Sequence, residues 1–369
     1  MKITDVTLTL FAWDDIPAVK YGPQNARIVG GSQLGLLAVE TDAGVTGHAF
    51  LGAAMRGGHL EAHSLIEFLK PLLVGEDPLD RERHWQAMRR RIRATTWRAI
   101  GAMDIALWDI AGKVAGLPIH RLLGTCRHKV PTYGSSATLD AVEDYVEEAL
   151  SVKAAGFAGY KIHPPADLGA HIDVCTAVRE AVGDGYTLML DSSMAYTFPM
   201  AMRVGRAIEE LGYHWYEDPL AEDDLTNSAK LCQALDIPVM ATEYAPGGFH
   251  SYAAWLAMGA TDYLRGDVAV KGGITSILKT AHLAEGFHMN YEIHHGGNSL
   301  NNVANLHVMM AIPNCEFFEV LLPDDAQKYG LAEDIEVDGD GYVHAIDGPG
   351  LGARIDFDLI EEKTIEVMR

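Results

Sequence analysis

From about Val130 to Val320 the chain alternates short apolar runs with helical stretches, and nearly every apolar run ends in an ionisable residue. The runs are VPTYGS, GYKIH, TLMLD, WYEDP, VMATE, YLRGDV, HMNYEIH and CEFFEV. Between them lie segments such as AVEDYVEEALSVKAAG and AMRVGRAIEELG, with helical spacing and a glycine near the end. Strands and helices in strict alternation over roughly 190 residues predict a closed parallel barrel of the α/β class. A doubly wound open sheet would carry a phosphate loop after its first strand. No GxGxxG or GxxxxGK(S/T) stands there.

The flanks follow another rhythm. Residues 3–11 alternate as a strand, and LGLLAVETDAGVTGHAF reads as two strands joined at Asp42-Ala43-Gly44, a hairpin signal. Helical patterns run from about Leu60 to Val114, with Ile100, Met103, Leu107, Ile110, Ala111 and Val114 on one stripe. Gly116-Leu117-Pro118 ends the last of them. The tail from Leu321 to Arg369 breaks the barrel rhythm, and its Gly-Asp-Gly and Gly-Pro-Gly turns suggest that it packs back on the first segment. The expected division is an α+β segment over 1–125, a barrel over 126–320 and a returning segment over 321–369.

Charge limits the partners. The 369 residues carry a formal net charge of −22, from 51 acidic against 29 basic side chains. Such a surface repels nucleic acid and anionic membranes, so neither is an expected partner. It repels carboxylate substrates as well, so an anion must be captured by a local cation or a metal. Cys126, Cys175, Cys232 and Cys315 lie far apart without a CxxC pair, which suits reduced thiols. The start alternates like a strand rather than a signal peptide, and no run approaches the ~18 to 20 apolar residues of a membrane helix. A cytoplasmic location is expected.

Polar groups at the carboxyl ends of barrel strands face the active site. Asp191, Glu217 and Glu243 each close a strand candidate, 26 residues apart each time. Three carboxylates in one desolvated mouth require a hard cation, and an all-oxygen set suits Mg²⁺ better than Zn²⁺ or copper. Lys161 and His163 are two apart on a strand and share a side; beside a cation both are expected to have lowered pKa values and to offer a neutral base. Asp267 and His294 fit a dyad in which the carboxylate fixes the imidazole, with His295 as a competing partner. Glu319 follows two phenylalanines, where a carboxyl either stays protonated and donates a hydrogen bond or pairs with a cation. The run Arg89-Arg90-Arg91-Ile92-Arg93 reads as a solvated helix face rather than an anion holder.

With these residues in view, the chain resembles the enolase superfamily, specifically its mandelate racemase subgroup, over essentially its full length. GAMDIALWDIAGKVAGLPIHRLLG is similar to the signature before that family's barrel. LMLDSS, WYEDPL and MATE resemble its three metal-ligand strand ends, and Asp267 with His294 resembles its His-Asp dyad. The resemblance implies a (β/α)7β TIM-like barrel with an α+β capping domain built from both termini. It implies Mg²⁺ on Asp191, Glu217 and Glu243, and an enediolate formed by removing the α-proton of a carboxylate. By the same resemblance Lys161 and His163 occupy the Lys-x-Lys positions, Glu319 the acid facing the substrate carboxylate, and Ser193 a polar substrate contact. A homo-oligomer is also implied.

His163 departs from the lysine of the subgroup's racemases. That departure favours dehydration of a sugar acid over racemisation, with the racemase or epimerase of a 2-hydroxy acid as the rival. Either His163 or His294 can be the abstracting base. A non-catalytic metal-dependent binding protein would have no use for the full set of bases and acids. Specificity is expected in cap loops near 13–27 and 51–58, where Tyr21 and Lys20 are candidate contacts.

Overall fold

The computed structural model describes residues 1–25 and 27–369; Ala26, inside the 13–27 segment expected to shape specificity, lies outside the described residues. The chain opens with three antiparallel strands, β1 (Ile3–Val19), β2 (Ile28–Thr41) and β3 (Thr46–Leu51). In β1 the side chains of Val6, Leu8 and Leu10 are buried in the alternation that a half-covered sheet demands. The strand continues past the expected end at residue 11, because Trp13, Ile16 and Val19 are also buried and irregularities near Trp13 and Ile16 keep the register with β2. The β2–β3 turn falls at Asp42-Ala43-Gly44, with Gly44 at φ +73°.

Helices then cover this sheet, the longest being Trp97–Ala115. Thr96 caps its start by accepting from the Ala99 N–H at 3.1 Å, and Gly116 ends it in the left-handed region at φ +67°. Its expected stripe is buried except for Val114, which sits in the final turn and is exposed. The helix docks on the barrel so closely that a Cβ at Gly101 would meet the Val268 carbonyl oxygen at 2.3 Å. Asp104, fully buried, accepts from the N–H and hydroxyl of Thr275, which ties the cap to the start of the barrel helix Ile274–Gly286 that follows Asp267.

Eight parallel strands follow: β4 (Lys129–Ser135), β5 (Gly159–Ile162), β6 (Thr187–Asp191), β7 (Trp215–Glu217), β8 (Val239–Ala241), β9 (Tyr263–Gly266), β10 (Tyr291–Ile293) and β11 (Phe318–Leu321). Helices connect each to the next, from Val142–Ala154 through Ser299–Ala311, which makes the (β/α)7β pattern. The last strand pairs with the first, Phe318–Leu321 against Thr132–Ser135. β10 and β11 share no ladder; side-chain bonds bridge that seam, among them the Glu316 N–H to the Glu292 carboxylate at 3.0 Å.

In the tail, β12 (Leu331–Glu333) and β14 (Arg354–Ile355) form a small sheet, and β13 (Tyr342–His344) pairs antiparallel with the start of β4. β15 (Thr364–Met368) joins the edge of β1, so the cap sheet reads β15-β1-β2-β3. No helix among the described residues is long and apolar enough to cross a membrane.

The period-two pleat of the strands decides what enters the barrel. Tyr160, Ile162, Leu188, Leu190 and Tyr216 pack outward against helix residues such as Val174 and Val178. Their alternates point inward. Tyr133, Met189, Trp215 and Met240 form an apolar plug, and the charged residues stand above it.

Candidate active site and metal centre

The outward packing of Tyr160 and Ile162 leaves Lys161 and then His163 facing the interior. The same parity turns Glu217 inward from β7, Glu319 from β11, and Arg265 with Asp267 from β9. Asp191 ends β6 on the same side as Met189.

Glu243 is different. Counting from inward Met240, residue 243 belongs to the outer face of β8. Thr242 corrects this by taking φ +90°, a strained angle for a β-branched residue. Its hydroxyl accepts from the Arg265 N–H at 2.9 Å and donates to the Arg265 carbonyl at 3.2 Å, replacing backbone pairing at that point. The kink delivers Glu243 to the same place as Asp191 and Glu217, whose carboxylate oxygens lie within 4.8 Å of one another and of its own.

The three sit in a cage of opposite charge. Lys161 Nζ lies 2.9 Å from Glu217, 2.6 Å from Glu319 and 3.6 Å from Asp191. Arg265 reaches Glu217 at 2.7 Å through Nε and Glu319 at 2.6 Å through a terminal nitrogen. All four members of this Lys161–Glu217–Arg265–Glu319 ring are about 1% exposed or less. Burial and Arg265 oppose the charge of Lys161, yet Glu217 and Glu319 outweigh them and hold its pKa well above the ordinary value. Its carboxylate neighbours thus favour the charged lysine, against the lowering expected for it beside a cation. Of the two states expected for Glu319, the pairing with a cation is the one found. Burial alone would protonate it, but Arg265 and Lys161 hold its pKa well below the usual range.

The ring leaves a deficit of positive charge. Asp191, Glu217, Glu243, Asp267 and Glu319, when ionised, face Lys161, Arg265 and protonated His294. The carboxylates outnumber these cations. Burial, aided by Asp191 and Glu319, raises the pKa of Glu217 despite Arg265 and Lys161. Neighbouring Asp218 is raised much further, by burial and then by Glu243. A divalent cation with a preference for oxygen would relieve this strain, so the residues present fit a hard metal ion.

A histidine stands on each side. His163 directs Nδ1 at the Ser136 carbonyl, 2.7 Å away, so Nδ1 donates and Nε2 is the nitrogen presented to the site. Nε2 is 3.0 Å from Asp191. His294 places Nδ1 2.5 Å from Asp267, whose other oxygen accepts from the Ala269 and Val270 N–H groups. Burial disfavours charge on His294, but Glu243 and Asp267 prevail and raise its pKa to about 9. His295 is fully buried beside Phe318, and burial drives its pKa down to about 3. It lies outside the cavity that His294 lines, so His294 is the partner of Asp267.

That cavity, about 150 Å³, collects Lys161, His163, Asp191, Glu243, Asp267, His294 and Glu319 along its barrel wall. Ser193 and Tyr21 line it as well. Ser193 turns its N–H to Asp191 at 2.8 Å and is pressed by Gly22 of the cap, where a Cβ would meet it at 2.3 Å. Tyr21 lays its ring edge-on to His163, donates to the Leu322 carbonyl at 3.0 Å and accepts from Gln327 at 2.9 Å. Lys20 is not brought to the cavity; its ammonium donates to the Pro23 carbonyl within its own loop. Arg90, Arg91 and Arg93 remain on an exposed face.

Sequence reasoning missed Arg265, Arg56 and Arg98, the last two of which line the cavity. A signal existed for Arg265. In YLRGDV it stands two residues before Asp267, hence on the same face of the strand.

Comparisons with known proteins agree with this geometry. Residues 144–359 match the family model described as enolase C-terminal domain-like. Residues 23–124 match that of the mandelate racemase / muconate lactonizing enzyme N-terminal domain. An arabinonate dehydratase of Saccharolobus solfataricus is 32% identical over 88% of this chain and 88% of its own. A 3,6-anhydro-α-L-galactonate cycloisomerase of Streptomyces coelicolor is 31% identical over 87% of this chain and 89% of its own. The crystal structure of a D-glucarate dehydratase from Agrobacterium tumefaciens, complexed with magnesium, superposes with a TM-score of 0.89 at 35% identity, covering 99% of this chain and 100% of that one.

Proposed function

The chain belongs to the mandelate racemase / muconate lactonizing enzyme family of the enolase superfamily, and on that premise we propose that it is a Mg²⁺-dependent dehydratase of a sugar acid. One observation carries the reading: a carboxylate triad stands between two histidines, one turning Nε2 into the site beside Asp191 and one bonded through Nδ1 to Asp267. Asp191, Glu217 and Glu243 would hold the ion. Bound Mg²⁺ would draw charge from the substrate carboxylate and so acidify its α-proton.

The protein's own groups do the rest. His163 takes the α-proton on Nε2, its ring held by the Ser136 carbonyl. Lys161, already charged and clamped by Glu217 and Glu319, stabilises the negative charge that develops on the substrate carboxylate. Glu319 and Arg265 position that lysine. His294 donates its Nε2 proton to the departing β-hydroxyl, which leaves as water, while Asp267 stabilises the imidazolium and fixes its tautomer. The enol product tautomerises to a 2-keto-3-deoxy acid. Assembly as a homo-oligomer is part of the same reading, and sedimentation tests it.

Incubating the purified protein with Mg²⁺ and a panel of acid sugars in D₂O is expected to give at least one 2-keto-3-deoxy acid. The His163→Asn variant should lose exchange of the α-proton, and the His294→Asn variant should lose dehydration. If no panel member yields a keto acid and one inverts at Cα with uptake of deuterium, the isomerase reading replaces this one.

A further inference from the structure

The proposed chemistry uses the barrel wall and leaves two cations unused on the opposite side. Arg56 belongs to the 52–58 loop after β3, and Arg98 to the first turn of the Trp97–Ala115 helix. Both line the cavity that holds Lys161 and the carboxylates. Both also line a groove that leads outward past Thr95, Trp97 and Tyr244, which Lys161 does not reach. The two arginines therefore stand where the cavity meets that groove, on its cap side.

Their surroundings suit an anion. Arg56 donates through Nε to Glu61 at 2.6 Å, and that carboxylate is fully buried. The contact fixes the guanidinium plane and leaves its terminal nitrogens for another acceptor. Arg98 has the Tyr244 hydroxyl as a neighbour and forms no ion pair with a carboxylate among the described residues. Its charge is felt as far as Asp267. The positive end of a 19-residue helix adds to the field at the same place. On a chain of net charge −22, two guanidiniums with a single carboxylate between them are a local exception.

We propose that Arg56 and Arg98 form an anion subsite for a second carboxylate, so that the substrate is a sugar diacid, an aldarate, rather than an aldonate. This rests on the dehydratase reading for the orientation of the reacting end. An aldonate would bring a neutral CH₂OH to the arginines, whereas an aldarate brings a carboxylate whose geometry suits a guanidinium fork.

Matched pairs test the idea, because galactonate and galactarate, or gluconate and glucarate, differ only at that end. With the Mg²⁺-loaded protein, the aldarate of the better pair should exceed its aldonate in kcat/KM by about tenfold to a hundredfold. Arg98→Met should shrink that ratio to within a few fold, mainly through KM, while Arg98→Lys retains part of it. Calorimetric binding of the four acids supplies a readout that needs no turnover. Equal binding and equal turnover within both pairs, or an Arg98→Met penalty shared alike by diacid and monoacid, would overturn the subsite. Dehydration of an aldonate alone leaves the dehydratase reading standing and removes the subsite. Tighter, Arg98-dependent binding of aldarates with no dehydration at all does the reverse.

Discussion

The barrel wall and the capping wall of the cavity are built from different material. On the barrel side, Lys161, Glu217, Arg265 and Glu319 are almost wholly removed from solvent, and each is paired with an opposite charge. On the cap side Phe50, Leu51, Ala53, Ala54 and Met55 present apolar surface, and the charges there, on Arg56 and Arg98, are partly exposed. A buried charge is tolerable only where its partners are fixed to within a few tenths of an ångström, because a lost partner leaves the full desolvation penalty behind. Strand ends meet that demand and loops do not. On the proposed reading, chemistry belongs to the barrel and shape to the cap.

The sharpest way to break this division is to remove what the barrel wall is built to hold. Exhaustive chelation should abolish turnover, and Glu217→Gln should weaken Mg²⁺ binding and cut kcat by about a thousandfold or more. Full activity after chelation, or unchanged calorimetric affinity for Mg²⁺ in the variant, would mean the triad is structural. Asp267→Asn tests the other flank. By analogy with other carboxylate–histidine dyads the loss in kcat should reach up to about ten-thousandfold, with substrate binding little changed. A loss confined to KM would move the dyad from the chemistry to substrate binding.

Arg265 sharpens the comparison from the side of stability. Arg265→Met leaves Glu217 and Glu319 buried with one cation fewer, which should cost about 3 to 5 kcal/mol in denaturant unfolding. A comparable change at a partly exposed arginine of the cap should cost under about 1 kcal/mol. Equal losses would erase the distinction between the walls.

Arg265 also shows where sequence reading stopped. Asp191 and Glu217 were legible because each is the last residue of its strand, and the Asp267–His294 dyad because both members lie just past strand ends. Glu243 was read as closing its strand, at equal spacing with the other two, although β8 stops at Ala241 and Glu243 reaches the site only through the kink at Thr242, which no periodicity announces. Arg265 lies inside its strand, where a charge finds a place only if the facing strands supply carboxylates. That is a fact about neighbours in space. Lys161 and Glu319 were located, but the charge state of each was not legible for the same reason: Glu217 and Glu319 favour the charged lysine, and Arg265 and Lys161 the ionised Glu319. Lys20 and Tyr21 are adjacent and only the tyrosine turns inward, a choice made by the Leu322 and Gln327 contacts some three hundred residues away in sequence.

A smaller effect concerns pH. In metal-free protein the pKa of His294 is raised from 6.5 to about 9, so its contribution to stability is fully present below pH 6.5 and is lost as pH rises through about 9. The change should be on the order of 3 kcal/mol between those limits. Added Mg²⁺ should move the window downward, because a cation on Glu243 cancels part of the attraction that sustains the imidazolium. Unfolding followed from pH 6 to about 10, with and without the metal, measures both. A His294→Asn variant that kept the same alkaline slope would assign it to another group.

The smallest expected effect lies on the cap, at the residue that comes nearest to crossing the division. Tyr21 touches His163 with its ring, yet its hydroxyl is already occupied by the Leu322 carbonyl and the Gln327 amide. Tyr21→Phe keeps the ring and removes both hydrogen bonds, leaving two partners short of one bond each. The loss in stability should be about 1 to 2 kcal/mol, and kcat should fall no more than a few fold, because the Ser136 carbonyl still fixes the His163 imidazole. KM is the parameter expected to move, since the loop that Tyr21 anchors also carries Gly22 against Ser193. A drop in kcat of a hundredfold with thermal stability intact would place the Tyr21 hydroxyl in the proton transfers, and the boundary between a chemical wall and a shaping wall would have to be redrawn through the cap.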